Sequence, residues 1–101
     1  PSTVVYEDDY CLAFKDVNPV APVHVLLIPK ERARLTQLQR GADDDHVFIL
    51  GHLMSKVGVI AKSQGLSDYR LVVNDGAKAQ QTVFHLHLHI IGGRDLEWPP
   101  G

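Results

Sequence analysis

The chain lacks the features that mark several large classes of protein. Its 101 residues include a single cysteine, Cys11, so no disulfide can form within the chain. This cysteine usage fits a reducing compartment, and we expect the cytoplasm or the nucleus. No apolar run reaches the roughly 20 residues that a membrane-spanning helix requires. The net charge of −2 lacks the basic excess of a general nucleic-acid binder, but it does not argue against a small anionic ligand, which needs only local donors.

No internal repeat, low-complexity stretch or linker divides the sequence, so we expect residues 1–101 to form one domain. Hydrophobic residues make up 45% of the chain and charged residues 22%, a balance typical of a globular domain with one core. No signal or transit peptide is visible. The first residue is Pro1 rather than methionine, which is compatible with the loss of an upstream segment that carries a targeting sequence.

The pattern of apolar residues predicts an α+β domain with a five-stranded, mainly antiparallel sheet. Runs rich in β-branched and aromatic residues predict strands at 3–6, 10–14, 24–28, 69–74 and 84–91. Helical periodicity predicts one long helix and one short helix, at 44–63 and 35–39.

The long helix has signals at both of its ends. Three aspartates at 43–45 suit its N-terminus as cap and as countercharge to the helix dipole, and Gly65 suits its C-terminal cap. Its expected buried stripe repeats at helical spacing and consists of Leu50, Leu53, Met54, Val57, Ile60 and Ala61. Other apolar residues lie outside the stripe, so the helix is either unusually enclosed or meets a partner subunit: Val47, Ile49 and Val59.

Three histidines stand at alternate positions near the end of the chain: His85, His87 and His89. On a strand, alternate residues share one face, so the three imidazoles are expected on one face, with successive rings roughly 6.5–7 Å apart. A hydrophobic core does not need this arrangement, because a buried imidazole requires a partner for each ring nitrogen. Catalysis does use it, because histidine changes its charge near neutral pH.

The central histidine, His87, is a reasonable nucleophile, because imidazole is mostly neutral at pH 7. One ring nitrogen must present a lone pair, so the other must donate its proton to a fixed acceptor, such as a backbone carbonyl on a neighbouring strand. His89 is placed to donate to a phosphoryl oxygen or to protonate a leaving group. His24, at the start of another strand, can complete the cluster. Two alternatives stay open: ordinary solvent-exposed strand histidines, and a zinc site, although the strand carries no carboxylate or cysteine to tune a metal.

Other side chains are candidate substrate-binding residues if they lie near these histidines. The carboxylate of Asp16 suits the two hydroxyls of a ribose, although taken alone it fits a turn residue. Phe14 and Val17 suit a purine ring, although each also fits ordinary packing. Asn74 and Thr82 offer neutral donors for phosphoryl oxygens.

The run from His85 to Ile91 resembles the signature of the histidine triad superfamily, in which three histidines alternate with apolar residues. It is similar in particular to the branch of histidine triad nucleotide-binding proteins. The terminal Trp98-Pro99-Pro100-Gly101 makes this resemblance more specific. The likeness covers essentially the whole chain, and its other supporting stretches are residues 13–19, 21–30, 72–76 and 92–94.

The resemblance implies a homodimer in which two five-stranded sheets join, with no cofactor and no metal. It implies hydrolysis of the P–N bond of purine nucleoside phosphoramidates and of aminoacyl adenylate-type substrates. In this scheme His87 forms a nucleotidyl-histidine intermediate, His89 assists at the phosphate, and His85 and His24 orient the cluster. The implied substrate contacts are Asp16 at the ribose, Phe14, Val17 and Leu26 at the base, Asn74, Gln81, Thr82 and Val83 at the phosphate and leaving group, and Trp98 at the partner's site.

The sequence departs from the family pattern in two places. The loop before the histidines usually reads Gly-Gly-Gln-Ser, whereas this chain has Ala79-Gln80-Gln81-Thr82. The family also usually has an N-terminal helix before the first strand, and we expect residues 1–101 to lack it. The alternative functions are a purine nucleotide-binding or scaffold protein with vestigial activity, a zinc hydrolase, and a dinucleoside polyphosphate hydrolase.

Overall fold

The computed structural model describes residues 3–30, 44–79, 81 and 85–99. Five strands form one sheet in the order β1-β2-β3-β5-β4, and every neighbouring pair is antiparallel. The elements are β1 Val4–Glu7, β2 Cys11–Lys15, β3 Val23–Pro29, α1 Asp44–Ser63, β4 Tyr69–Val73 and β5 Leu88–Gly92, with a 3-10 turn at Ala77–Ala79. The predicted α+β class is confirmed. The short helix predicted at 35–39 lies outside the described residues.

The core lies between α1 and one face of the sheet. Alternate residues of the central strands point to this face because a strand repeats every two residues. The buried cluster combines Cys11, Ala13, Val25, Leu27, Leu88 and Ile90 of the strands with Leu53, Val57, Ile60 and Ala61 of α1. Met54 was expected in this stripe but is 56% exposed, because the face that meets the sheet is centred on Leu53 and Val57. Within the described residues, no helix has the length and apolar character to span a membrane.

The C-terminal end of α1 has the glycine cap that the sequence predicted. Gly65 has φ of +77°, the left-handed conformation that favours glycine at this position. The Leu66 amide donates to the Ala61 carbonyl at 3.0 Å, and the Gly65 amide donates to the Lys62 carbonyl at 3.0 Å. These two bonds satisfy carbonyls that the end of a helix leaves without partners.

The histidine strand is shorter than predicted. β5 begins at Leu88, which pairs with Leu27 on one side and Val73 on the other. Continuing the ladder toward Leu86 would place it opposite Pro29, which has no amide proton, and β4 has already ended at Val73. Only one of the three histidines, His89, therefore belongs to the regular sheet.

A carboxylate in the β1–β2 turn ties this hairpin to α1. Asp8 Oδ1 accepts the amides of Tyr10 and Cys11 at 2.8 and 2.9 Å, and Oδ2 accepts the Tyr6 hydroxyl at 2.8 Å. His52 Nε2 of α1 lies 2.8 Å from the same Oδ2. Burial opposes ionisation of Asp8, but the bonds from Tyr10, His52 and Tyr6 outweigh it and hold its pKa well below the usual range. The bond to this carboxylate raises the pKa of Tyr6 to about 12.

Candidate active site

The sheet has a second face, which points away from α1, and we call it the open face. Its half-buried or buried members on the three central strands are Leu12, Phe14, His24, Leu26, Ile28, His89 and Ile91. Phe14 pairs with Leu26, which in turn pairs with His89. Two residues predicted to bind a purine, Phe14 and Leu26, thus stand beside the histidines.

Two of the predicted histidines meet across β3 and β5. His24 Nε2 and His89 Nδ1 are 2.8 Å apart, and their ring centroids are separated by 5.1 Å. The structure thus joins His24, which lies 65 positions earlier in the chain, to the triad. Because this separation allows one hydrogen bond between neutral rings, one ring donates and the other accepts.

His87 is oriented by the chain immediately before it. Its Nδ1 lies 2.7 Å from the backbone carbonyl oxygen of His85, so Nδ1 carries the proton and donates it. The prediction of a carbonyl on a neighbouring strand is wrong, because His87 precedes β5 and its acceptor is on the same segment. The remaining nitrogen, Nε2, keeps its lone pair, as a nucleophile requires.

The rings of His87 and His89 are packed edge to face, with centroids 5.1 Å apart. This distance is shorter than the strand repeat predicts, because His87 lies outside the regular strand. Burial lowers the pKa of His89, and His87 and His24 add to the effect, while Asp16 opposes it. The neutral form of His89 is therefore favoured. Its Nε2 is buried and has no hydrogen-bond partner among the described residues.

Asp16 follows β2 and reaches the same cluster. Its Oδ2 lies 3.3 Å from His24 Nε2, and its Oδ1 accepts the Asn18 amide at 2.8 Å. Val17, the next residue, is 74% exposed in the loop. The predicted ribose contact and part of the predicted base contact thus border the histidines.

The remaining predicted contacts are more dispersed. Gln81 is buried, and its Oε1 accepts the Gly76 amide at 2.7 Å, so this oxygen is engaged within the loop. Asn74 follows β4 and is half-buried. Trp98 is 81% exposed within the single chain. Thr82 and Val83 lie outside the described residues.

A cavity of about 130 Å³ lies behind Asp16 and His24, toward the C-terminus of α1. Lys15 and Gln64 contribute its other long polar side chains. Small-molecule sites usually measure about 300–1,000 Å³, so this cavity is too small for a nucleotide.

One contact of the site could not be predicted from residue types, because its donor is a backbone group. The backbone amide of Val20 donates to His24 Nδ1 at 3.2 Å. A backbone donor is the same for every residue except proline, so residue type does not reveal it. The only hint in the sequence is the loop itself, which is confined by Pro19 and Pro22 just before His24.

Among the residues that the structure describes, two groups of side chains have donor atoms close enough to share a metal ion, within 4.8 Å of one another. One group is Asp16, His24 and His89. The other is Asp8, Cys11 and His52. The first group belongs to the candidate active site, so a metal there would occupy the atoms that otherwise link the histidines.

Comparison with known proteins finds a match to the HIT domain over residues 1–96. The chain is 60% identical to an uncharacterised HIT-like protein of Synechocystis, over the whole chain and 87% of that protein. It is 53% identical to the 14 kDa zinc-binding protein of Zea mays, over the whole chain and 79% of the relative. It is 52% identical to adenylylsulfatase HINT1 of Arabidopsis thaliana, over the whole chain and 69% of the relative. A HIT family hydrolase from Legionella pneumophila superposes with a TM-score of 0.90 at 42% identity, covering the whole chain and 89% of that structure.

Proposed function

Because the chain belongs to the histidine triad (HIT) family, in its Hint-like branch, we propose that it is a nucleotide hydrolase that cleaves purine nucleoside phosphoramidates. The proposed bond is P–N, in phosphoramidates and in aminoacyl adenylate-type substrates, and the reaction passes through a covalent nucleotidyl-histidine. The observation that carries the proposal is the 2.7 Å contact between His87 Nδ1 and the His85 carbonyl, which leaves Nε2 of His87 as the nucleophile.

The reaction has two displacement steps. His87 Nε2 attacks the phosphorus, the P–N bond breaks, and the amine leaves with a proton taken from solvent. Water then attacks the same phosphorus and gives up a proton to solvent, which balances the proton taken by the amine; the P–Nε2 bond breaks, and the nucleotide is released while His87 regains its lone pair. His89 supports both steps from its position 5.1 Å from the His87 ring, where a neutral donor can bond a phosphoryl oxygen.

The open face supports the proposed position of the nucleotide. Phe14 and Leu26 offer apolar surface for the base next to His89, and Asp16 lies at the same end of the sheet for the ribose. Asn74, Gln81, Thr82 and Val83 keep their proposed place around the phosphate and leaving group.

A homodimer is part of the proposal. Several large apolar side chains of α1 and of the edge strand β4 are exposed in the single chain, as expected of a subunit interface: Val47, Phe48, Met54, Val59 and Tyr69. Trp98 is also exposed, and we place it at the partner's site. Sedimentation equilibrium tests the dimer, and a monomer at micromolar concentration would contradict it.

The test of hydrolysis is turnover of a fluorogenic adenosine phosphoramidate by the wild-type protein, His87→Ala and His87→Asn, with a chelator present. We expect both variants to fold, by circular dichroism, and to lose turnover by at least about a thousandfold, because a nucleophile has no substitute. Undiminished turnover in either variant would refute the proposal. A wild-type protein that binds AMP in calorimetry but turns over no phosphoramidate would support the scaffold alternative.

A second leaving group is favoured by one observation. The Arabidopsis relative, 52% identical, is named an adenylylsulfatase. The same attack by His87 on adenylyl sulfate would expel sulfate instead of an amine. Comparing kcat/KM for adenylyl sulfate and for an adenosine phosphoramidate decides which leaving group the site prefers.

Zinc-dependent hydrolysis is another candidate activity to be tested. The maize relative is named a zinc-binding protein, and Asp16, His24 and His89 bring three possible ligands, one carboxylate and two imidazoles, to one place. If the protein is a zinc-dependent hydrolase, turnover should fall when a chelator is added and return when Zn²⁺ is added. Our proposal expects turnover to resist the chelator, because it uses the His87 lone pair.

A further inference from the structure

We propose that the backbone amide of Val20, held in place by Arg94, sets the tautomers of His24 and His89, so that His89 presents an N–H group to the substrate. This inference rests on the proposed function only for what that N–H group would bind. Val20 and Arg94 act through the two histidines and are positioning residues.

The first step is the bond between the loop and His24. A backbone amide can only donate, so the 3.2 Å contact with Val20 requires His24 Nδ1 to accept. A neutral imidazole whose Nδ1 accepts carries its proton on Nε2. The Asp16 carboxylate, 3.3 Å from Nε2, favours the same tautomer because an ionised carboxylate only accepts.

In the second step, the tautomer of His24 determines the tautomer of His89. With the proton on His24 Nε2, the 2.8 Å contact runs from His24 to Nδ1 of His89. His89 must then carry its own proton on Nε2, the buried atom with no partner among the described residues. The reverse direction would leave a lone pair at that atom, which repels a phosphoryl oxygen instead of binding it.

The third step is the support of Val20 by Arg94, which binds the carbonyl of Val20, in the peptide group that follows the one whose amide contacts His24. Arg94 Nε donates to the Val20 carbonyl at 3.2 Å, and its Nη1 donates to the Asp95 carbonyl at 3.0 Å. Gly93 has φ of +91°, and a Cβ there would approach Pro22 Cβ to 3.1 Å, so glycine allows the chain to turn closely against the loop. The exposed loop is thus held from the segment that directly follows β5.

The experiment reads the tautomers directly, without substrate, by long-range proton–nitrogen correlation spectra of ¹⁵N-labelled protein at a pH where imidazoles are neutral. In the wild type we expect Nε2–H for His24 and His89, and Nδ1–H for His87. Val20→Pro removes the amide donor, so we expect Nδ1–H forms of His24 and His89 to appear. Arg94→Ala should give a smaller shift in the same direction, and Arg94→Lys should restore part of the wild-type pattern.

Arg70→Ala is the matched control, because Arg70 Nη2 also donates to a backbone carbonyl, that of Glu97 at 2.9 Å, away from the Val20 loop. It should leave the His24 and His89 tautomers unchanged. The His87 signal should stay Nδ1–H in every variant, since its acceptor is the His85 carbonyl.

Turnover gives the second readout. If the phosphoramidase proposal holds, Val20→Pro should lower kcat by about tenfold, part of the roughly 10²–10³-fold effect of one donor at a developing oxyanion, with KM little changed. Nδ1–H in wild-type His89, or unchanged His24 spectra in both Val20→Pro and Arg94→Ala, would overturn the inference. The expected tautomers without any turnover would instead contradict the proposed function and leave this inference standing.

Discussion

Replacing Asp8 with alanine tests whether the β1–β2 turn is a main attachment of the hairpin to α1. The substitution removes the acceptor of the Tyr10 and Cys11 amides, of the Tyr6 hydroxyl and of His52. Four bonds at a net value of about 1 kcal/mol each set the scale of the loss. Because the Asp8 and His52 side chains keep 23% and 16% of their surface exposed, water replaces part of these bonds. We expect a loss of roughly 2–4 kcal/mol, which corresponds to about 10–30 °C in Tm for a chain of this length.

The pH dependence of this loss gives the sharper result. The pKa of Asp8 lies below its ordinary value of 3.8 in the folded state, so the folded protein favours the carboxylate. The resulting stability is fully present above the unfolded pKa and is lost as the pH falls through the folded pKa. The difference between the wild type and Asp8→Ala should therefore be constant near neutral pH and shrink below about pH 4.

Urea denaturation followed by circular dichroism, repeated at several pH values, measures both effects. Asp9→Ala is the matched control, because Asp9 is an exposed carboxylate in the same turn. It should change the free energy of unfolding by less than about 0.5 kcal/mol. A loss below about 1 kcal/mol for Asp8→Ala, or a loss equally large in acid and at neutral pH, would refute the reasoning.

Three further substitutions test separate features. His85→Ala should lower turnover far less than His87→Ala in the phosphoramidate assay, because the acceptor of His87 is the backbone carbonyl of residue 85; equal losses would show that the His85 ring is required. Gly65→Ala should destabilise the protein by about 1–2 kcal/mol in thermal denaturation, because alanine is strained at a positive φ, and an unchanged Tm would contradict this. Trp98→Ala should leave the unfolding of dilute monomer nearly unchanged but raise KM if Trp98 completes the partner's site; an unchanged KM would remove it from that site.

Much of the sheet was predictable because its residues alternate in a way that only a strand satisfies. The runs at β2 and β3 are flanked by turn residues and prolines, and their predicted bounds agree with the structure to within a residue. The start of β5 was not predictable from its own sequence. A strand ends where its neighbours stop offering partners, and here that depends on Pro29 and on the end of β4 at Val73.

Part of the candidate site was also predictable from the sequence, and part was not. The histidines and Asp16 were identified because the chemistry that they can perform depends on the type of their side chains. The contact between His24 and His89 depends on the register of β3 and β5, which no local pattern specifies. The roles of the Val20 amide and the His85 carbonyl were invisible, because every peptide group has the same donor and acceptor.

The early end of the β5 ladder has a consequence for how such a site can arise. A carbonyl inside a sheet is normally committed to the neighbouring strand, so it is not free to orient a side chain. His85 stands three residues before the first pair of β5, and its carbonyl oxygen accepts from His87 at 2.7 Å. Pro29 opposite Leu86, together with the end of β4 at Val73, thus separates the peptide groups that pair within the sheet from the His85 carbonyl, which is left to bind a side chain. The place where a strand ends can therefore decide which backbone carbonyl is available to orient a histidine of the candidate active site.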